Sequence, residues 1–147
     1  MRVLVTGAGG QVGRELAELC VARGDDVIAC DHTTLDVADR DAVLGSVLTN
    51  EPDAVVHCAA WTAVDACEAD TDKALAVNAI GTRNIAEATA RLGAHVVYVS
   101  TDYVFDGTKP APYDEWDVPN PMSSYGRSKW AGELELAGHP SPTTVRI

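Results

Sequence analysis

The chain has 147 residues, of which 46% are hydrophobic, which is enough for one compact domain but not for a second full one. Its 22 acidic residues outnumber its 11 basic residues, for a formal net charge of −11, and this balance argues against a protein that binds the nucleic-acid backbone. No apolar stretch approaches membrane-spanning length and nothing at the amino terminus resembles a secretory signal, so the sequence predicts a cytoplasmic protein with no membrane partner.

Short apolar runs alternate with longer segments of helical period along the chain. Strands are predicted at residues 2–6, 26–30, 54–58 and 95–100, with a fifth at 143–147. Helices are predicted at residues 11–23, 39–49, 70–92 and 125–136. A proline- and glycine-containing stretch that ends near Ser123 is predicted to be a functional loop.

This alternation predicts an α/β fold, a Rossmann-like doubly wound parallel sheet. Because each strand is nearly all apolar, helices are expected on both faces of the sheet. We expect one domain over residues 1–147, truncated in mid-sheet. The four cysteines lack C-x-x-C spacing and the four histidines are scattered singly, so we expect buried reduced thiols and no metal site.

A glycine-rich turn joins the first predicted strand to the first helix. Gly7, Gly10 and Gly13 are spaced three apart, with Gln11 and Val12 between the last two. Bare backbone and the N–H groups of a helix amino terminus are suited to bind a pyrophosphate. A tight turn without a ligand also needs glycines, but the position at the carboxyl end of a strand favours a dinucleotide.

Acidic residues follow the second predicted strand. Asp31 lies 18 residues after Gly13, near the spacing at which a carboxylate bonds the adenosine ribose. That interpretation favours a cofactor without a 2′-phosphate, whereas the alternative is that Asp31 only caps a turn. Asp36 and Val37 could meet the adenine, although Asp36 is equally typical of a helix amino terminus.

A tyrosine and a lysine lie one turn apart at the start of the last helix. Tyr125 and Lys129 share one helix face, and an ammonium close to a phenol stabilises the phenolate. Thr101 follows the fourth strand, at the sheet edge that also carries the glycine turn. The three residues are therefore predicted to reduce a carbonyl: Tyr125 as general acid, Lys129 lowering its pKa and holding the cofactor ribose, and Thr101 bonding the carbonyl oxygen.

Together these segments resemble the extended short-chain dehydrogenases, and in detail the dTDP-4-dehydrorhamnose reductase family. The glycine turn and the Tyr125/Lys129 pair are shared across the superfamily. Two stretches are more specific to this family: Ala-Ala-Trp-Thr-Ala-Val-Asp at residues 59–65 and Ser-Thr-Asp-Tyr-Val-Phe-Asp-Gly at residues 100–107. The likeness spans essentially the whole chain.

The resemblance implies reduction of the 4-keto group of a dTDP-sugar, dTDP-4-dehydro-L-rhamnose, with NADPH or alternatively NADH. It places Ala59 and Ala60 beside the cofactor, together with Tyr125 and Lys129, and it makes Asn78 a buttress for the active-site helices. The residues that it places at the substrate are Thr62, Val64, Thr101, Asp102 and Tyr125.

Members of this family continue into a smaller domain that grips the nucleotide sugar, so the chain is expected to be the cofactor-binding portion. Two alternatives stay open. One is a non-catalytic NADP-binding regulatory subunit similar to that of methionine adenosyltransferase, and the other is a different nucleotide-sugar enzyme such as an epimerase. A homodimer is also open.

Overall fold

Five parallel strands form one sheet at the centre of the protein, whose computed structural model describes residues 1–147. The strands are β1 (Arg2–Thr6), β2 (Asp26–Cys30), β3 (Ala54–His57), β4 (His95–Ser100) and β5 (Pro142–Arg146). Their order across the sheet is β2-β1-β3-β4-β5, so the chain reverses direction across the sheet between β1 and β3. The doubly wound α/β fold predicted from the sequence is confirmed.

Helices connect the strands. They are α1 (Gln11–Ala22), α2 (Arg40–Asn50), α3 (Val64–Ala69), α4 (Thr71–Leu75), α5 (Gly81–Leu92) and α6 (Ser124–Glu135). A π-helical segment, Ala76–Ile80, joins α4 to α5, and a 3₁₀ turn, Asp102–Val104, follows β4. No helix combines the length and the apolarity that crossing a lipid bilayer requires.

The main core lies between one face of the sheet and helices α2, α5 and α6. Leu4 of β1 is in register with Ile28 of β2 and Val55 of β3, and Val55 is in turn in register with Val96 of β4. These side chains share one face because strand side chains alternate. They pack with buried residues that include Val43, Val47, Ile85, Ala88, Tyr98 and Leu136.

The opposite face of the sheet is covered by α1 over β1 and β2. Helices therefore lie on both faces, as predicted, but the second face is only partly covered. Val97 and Val99 of β4 point to this side and are half-buried, and Val145 of β5 is 41% exposed. Leu19 of α1 is 46% exposed.

The predicted helix over residues 70–92 is wrong in its middle. The π-helical segment adds a residue to one turn, and this shifts the faces of the elements on either side of it. Asn78 is consequently fully buried, whereas Ile80 is 36% exposed. In α2, Leu48 is exposed and Leu44 packs on the core.

Candidate active site

Four connecting segments leave the carboxyl ends of adjacent parallel strands at one edge of the sheet. The glycine turn follows β1, Asp31 follows β2, the segment from Cys58 to Thr62 follows β3, and Thr101 follows β4. Open α/β sheets bind ligands at this edge, where the strand order reverses. The glycine turn and Thr101, which were predicted to share one edge of the sheet, therefore lie at the same edge, called the rim below.

The glycine turn packs so closely that two of its positions have no space for a side chain. A Cβ on Gly7 would lie 2.6 Å from the backbone nitrogen of Ala59, and Gly7 has a φ of +68°. A Cβ on Gly13 would lie 2.3 Å from the carbonyl oxygen of Gly7. These contacts hold the start of α1 and the segment after β3 against the turn.

An open groove of about 510 Å³ runs over the glycine turn. Its lining includes Gly7, Gly10, Gln11, Val12, Gly13, Asp31, Ala59, Ala60 and Thr62, all of which were predicted site residues. Gly9, His32, Leu35, Cys58 and Val77 complete the lining. Asp31 is the one carboxylate among these residues, and none of them is a lysine or an arginine.

The Asp31 carboxylate lies at the end of this groove and holds a turn. Its Oδ1 accepts hydrogen bonds from the backbone nitrogens of Thr33 at 2.9 Å and Thr34 at 3.0 Å, and from both threonine hydroxyls. The Thr33 hydroxyl is the largest of the causes that lower the pKa of Asp31 to about 2. The carboxylate is thus ionised and fixed at neutral pH. It caps a turn and lines the groove at the same time, and its bond to the adenosine ribose stays a prediction.

Asp36 and Val37 are not among the residues that line the groove, but the neighbouring Leu35 is. Val37 is buried in the main core, where its side chain is the nearest neighbour of a Cβ built on Gly81. The Asp36 carboxylate accepts a hydrogen bond from the backbone nitrogen of Ala38, and the amino-terminal cap of α2 is Asp39. The contact of Asp36 and Val37 with the adenine stays a prediction.

Thr101 and Tyr125 are brought together beside the rim. Thr101 is 5% exposed and Tyr125 is 8% exposed. Burial raises the pKa of Tyr125, and the neighbouring Thr101 hydroxyl acts in the opposite direction. The ring of Tyr103 lies edge-on to that of Tyr125, with 5.6 Å between centroids. The phenol is therefore held protonated at neutral pH, which is the form that a proton donor requires.

Lys129 lies on the same helix as Tyr125 but is bound to the sheet. Its Nζ donates a hydrogen bond to the Val99 carbonyl oxygen at 2.7 Å and lies 4.1 Å from the centroid of the Tyr98 ring. Burial lowers the pKa of Lys129 to about 7, against the opposing effect of Glu133. The role of Lys129 in lowering the pKa of Tyr125 stays a prediction, because the structure shows the phenol pKa raised.

We expect the free energy of unfolding to rise between about pH 7 and pH 10. Lys129 keeps its proton up to its usual pKa of 10.5 in the unfolded chain but releases it near 7 in the folded protein. The folded state binds fewer protons in this window, so stability increases with pH. Urea unfolding at several pH values measures the slope. Lys129→Met should flatten it, and an equally steep slope in that variant would contradict the assignment.

The side chain of Asn78 links the segment after β3 to helix α6, which is the contact expected of a residue that supports the helices of the site. Its Oδ1 accepts a hydrogen bond from the backbone nitrogen of Trp61 at 2.7 Å, and its Nδ2 donates to the Ser128 hydroxyl of α6 at 2.9 Å. A Cβ on Gly132 of α6 would lie 2.5 Å from the Asn78 carbonyl oxygen. The π-helical segment thus presents both the amide and the carbonyl of Asn78 to the site.

The predicted substrate residues divide between two places. Thr62 lines the groove, and Val64 of α3 packs on the cluster formed by Cys67, Ala74 and Tyr125. Asp102 lines a different cavity, of about 700 Å³, beside Phe105, Tyr113 and Arg146. Thr62 and Val64 therefore lie in the connection after β3, whereas Asp102 lies in the connection after β4.

Sequence reasoning missed three buried polar residues behind the groove. Thr6, His57 and Thr82 are each no more than 1% exposed. The first two close apolar strands, and Thr82 lies inside a long helical pattern, so periodicity gives no sign of them. A polar residue within a buried strand is the signal that could have found Thr6 and His57, because such groups need partners.

Comparison with known proteins agrees with this geometry. A dTDP-4-dehydrorhamnose reductase of Aggregatibacter actinomycetemcomitans is 43% identical over 136 residues, which are 92% of this chain and 46% of that protein. A crystal structure of dTDP-4-dehydrorhamnose reductase from Bacillus anthracis in complex with NADP matches at a TM-score of 0.95 and 42% identity, over 99% of this chain and 52% of that one.

A structure of UDP-glucose 4-epimerase from Thermus thermophilus in complex with NAD matches at a TM-score of 0.89 and 27% identity, over 99% of this chain and 54% of that one. The chain therefore spans about half the length of these relatives. The likenesses confirm the resemblance inferred from the sequence motifs. The family model described as RmlD substrate binding domain matches residues 1–147, and the chain belongs to that family.

Proposed function

We propose that this chain is the cofactor-binding and proton-donating portion of an NAD(P)H-dependent reductase that acts on the 4-keto group of dTDP-4-dehydro-L-rhamnose. The observation that carries the proposal is the buried pair of Thr101 and Tyr125 at the same sheet edge as the glycine groove. The relatives named as dTDP-4-dehydrorhamnose reductases, one of them in complex with NADP, supply the substrate and cofactor classes.

The groove fits a dinucleotide. Gly7 and Gly13 have no room for a Cβ because protein backbone lies within 2.6 Å and 2.3 Å of that position, and this close packing sets the amino terminus of α1 against the glycine turn, where a pyrophosphate would bind. The amino terminus of α1 has no side-chain cap, so its first N–H groups are available to anionic oxygens. Gln11 and Val12 lie in that first turn, and Ala59 and Ala60 form the opposite wall.

When bound, the nicotinamide supplies the hydride. Tyr125 Oη then gives its proton to the keto oxygen, and the Thr101 hydroxyl donates a hydrogen bond to the same oxygen. The Lys129 ammonium lies one turn along the helix and stabilises the phenolate that remains. Burial keeps water away from these groups, which strengthens each of these interactions.

The sugar nucleotide is proposed to lie between the segment that carries Thr62 and Val64 and the loop after β4 that carries Asp102. The relatives are about twice as long as this chain, and we propose that their additional residues complete the grip on the sugar. A UDP-sugar epimerase activity is less well supported, because identity to the epimerase is 27% against 42% to 43% for the reductases.

The experiment follows NADPH oxidation at 340 nm with the chain and dTDP-4-dehydro-L-rhamnose, alongside calorimetric titration with NADPH and NADH. Cofactor binding with turnover supports the reductase. Cofactor binding without turnover is expected both for the non-catalytic regulatory alternative and for a reductase portion without the proposed grip on the sugar, so cofactor binding decides the proposal for this chain. Absence of binding to either cofactor would contradict the proposal.

Asp31→Asn should raise affinity for NADPH relative to NADH by about fivefold. Asparagine keeps the oxygen that accepts the Thr33 and Thr34 hydrogen bonds but removes the negative charge at the end of the groove. Removing a negative charge beside a 2′-phosphate relieves a repulsion in a solvent-exposed groove, where charges interact weakly. The ratio of the two dissociation constants measures this effect. Asp70→Asn is the matched control, because Asp70 does not line the groove and its Oδ1 also accepts a backbone hydrogen bond, from Lys73; an equal change in both variants would exclude Asp31 as the cause.

A further inference from the structure

A chain of buried hydrogen bonds runs behind the groove from β1 to the π-helical segment. The Thr6 hydroxyl lies 2.7 Å from His57 Nδ1, and His57 Nε2 lies 3.2 Å from the Thr82 hydroxyl. The Thr82 hydroxyl donates to the Asn78 carbonyl oxygen at 2.7 Å. At the other end, the backbone nitrogen of Ala59 donates to the Thr6 hydroxyl at 3.3 Å.

One arrangement of protons satisfies all of these partners. The Thr82 hydroxyl has a single hydrogen, which it gives to Asn78, so it must accept from His57 Nε2–H. Nδ1 of His57 is then unprotonated and accepts from the Thr6 hydroxyl, whose oxygen accepts from Ala59. His57 is therefore neutral, with its proton on Nε2.

The surroundings of His57 keep it in that form. Its ring is fully buried and stacks on the Tyr98 ring at 5.5 Å between centroids. Lys129 Nζ lies against the same phenol ring, 4.1 Å from its centroid. Burial first, and the charge of Lys129 second, lower the pKa of His57 to about 3.

This chain of hydrogen bonds, which runs from Ala59 through Thr6, His57 and Thr82 to Asn78, is called the relay below. It ends at two parts of the candidate site. Ala59 forms a wall of the groove, and its backbone nitrogen is the atom that a Cβ on Gly7 would approach to 2.6 Å. Asn78 holds Trp61 and Ser128, so it reaches the segment after β3 and the helix that carries Tyr125. The distance between the glycine turn and its opposite wall thus depends on a hydroxyl whose direction His57 fixes.

We propose that His57 is a positioning residue, which acts through Thr6 to hold the Ala59 backbone at the spacing that the dinucleotide requires. The proposal rests on the proposed function, since it assigns the groove to a cofactor. It predicts a fixed imidazole tautomer and a cofactor affinity that depends on the relay.

The tautomer is measured on the wild-type chain by long-range ¹H–¹⁵N correlation of labelled histidine rings, with His57 assigned by its loss in His57→Gln. We expect Nε2 protonated and Nδ1 unprotonated from about pH 5 to pH 8. A proton on Nδ1, or titration of His57 near its usual pKa of 6.5, would overturn the proposal.

Thr82→Val and Thr89→Val form a matched pair on α5. Both threonines are fully buried, and both donate to the carbonyl four residues earlier while contacting a histidine Nε2, which for Thr89 is that of His139 at 2.9 Å. Both variants should lose similar thermal stability. Thr82→Val alone should weaken NADPH binding, by about tenfold, because the relay loses its acceptor.

Equal NADPH affinity in the two variants would show that Thr82 and His57 are only structural, and would overturn the proposal. If the wild-type chain binds neither NADPH nor NADH, the proposed function fails. Hydrogen exchange of the Ala59 amide then tests the relay separately. Faster hydrogen exchange of that amide in Thr82→Val than in Thr89→Val supports the relay, and equal exchange overturns it.

Discussion

Replacing Tyr125 with phenylalanine should lower the rate of keto-sugar reduction by about 10²–10⁴, the usual contribution of a positioned general acid. The substitution removes the phenol oxygen and keeps the ring, which packs with Cys67 and Ala74 and lies edge-on to Tyr103. Cofactor affinity and stability should change little. Steady-state kcat and KM for NADPH-dependent reduction measure the effect.

Tyr113→Phe is the control for the tyrosine substitution. The Tyr113 hydroxyl donates a hydrogen bond to Asp106 within the loop after β4, and its ring stacks on Phe105. Because Tyr113 also lines the cavity beside Asp102, loss of its hydroxyl should change KM for the sugar but leave kcat near the wild-type value. A rate unchanged in Tyr125→Phe would remove the phenol from the mechanism.

Gly13→Ala should abolish most of the cofactor affinity and lower the free energy of unfolding by about 1–3 kcal/mol, the usual cost of forcing extra atoms into a packed site. The new Cβ would lie 2.3 Å from the Gly7 oxygen and 2.8 Å from the Gly7 carbonyl carbon. Both are backbone atoms, so α1 must move away from the turn, which withdraws its N–H groups from the pyrophosphate position. Calorimetric titration and urea unfolding measure the two effects.

Gly45→Ala is the control for Gly13→Ala, because it places alanine at another helical glycine where there is room for the side chain. Gly45 lies inside α2 with no atoms within 4 Å of a built Cβ, so alanine should stabilise the protein by about 0.5–1 kcal/mol and leave cofactor binding unchanged. If Gly13→Ala binds the cofactor as tightly as Gly45→Ala, the close packing of the glycine turn has no role in binding.

The sheet and the outline of the site could be predicted because their signals are local. All five strands lie within one residue of the predicted bounds, and the glycine turn falls where the change from strand to helix places it. Tyr125 and Lys129 were found because a four-residue spacing on a helix is visible in the sequence. Thr101 was found because it follows a buried strand directly.

The elements that were missed depend on packing between distant segments. Helix α3 has six residues, too few to show a helical period, and its amino acids are held by contacts of Val64 and Cys67 with Tyr125. The π-helical segment is invisible because the apolar spacing continues through it. Val37 looked like a site residue by position, but α5 draws it into the core through a hydrogen bond from Asn84 to its carbonyl oxygen.

The proposed function requires that one bound dinucleotide touches both the glycine turn and the pair of Thr101 and Tyr125. Backbone ¹H–¹⁵N spectra of the labelled chain during titration with NADPH test this directly. We expect saturable shifts at Gly10, Gln11 and Ala59 together with shifts at Thr101 and Tyr125, all with one dissociation constant. Shifts at the glycine turn that leave Thr101 and Tyr125 unchanged, or no saturable shifts at all, would contradict it.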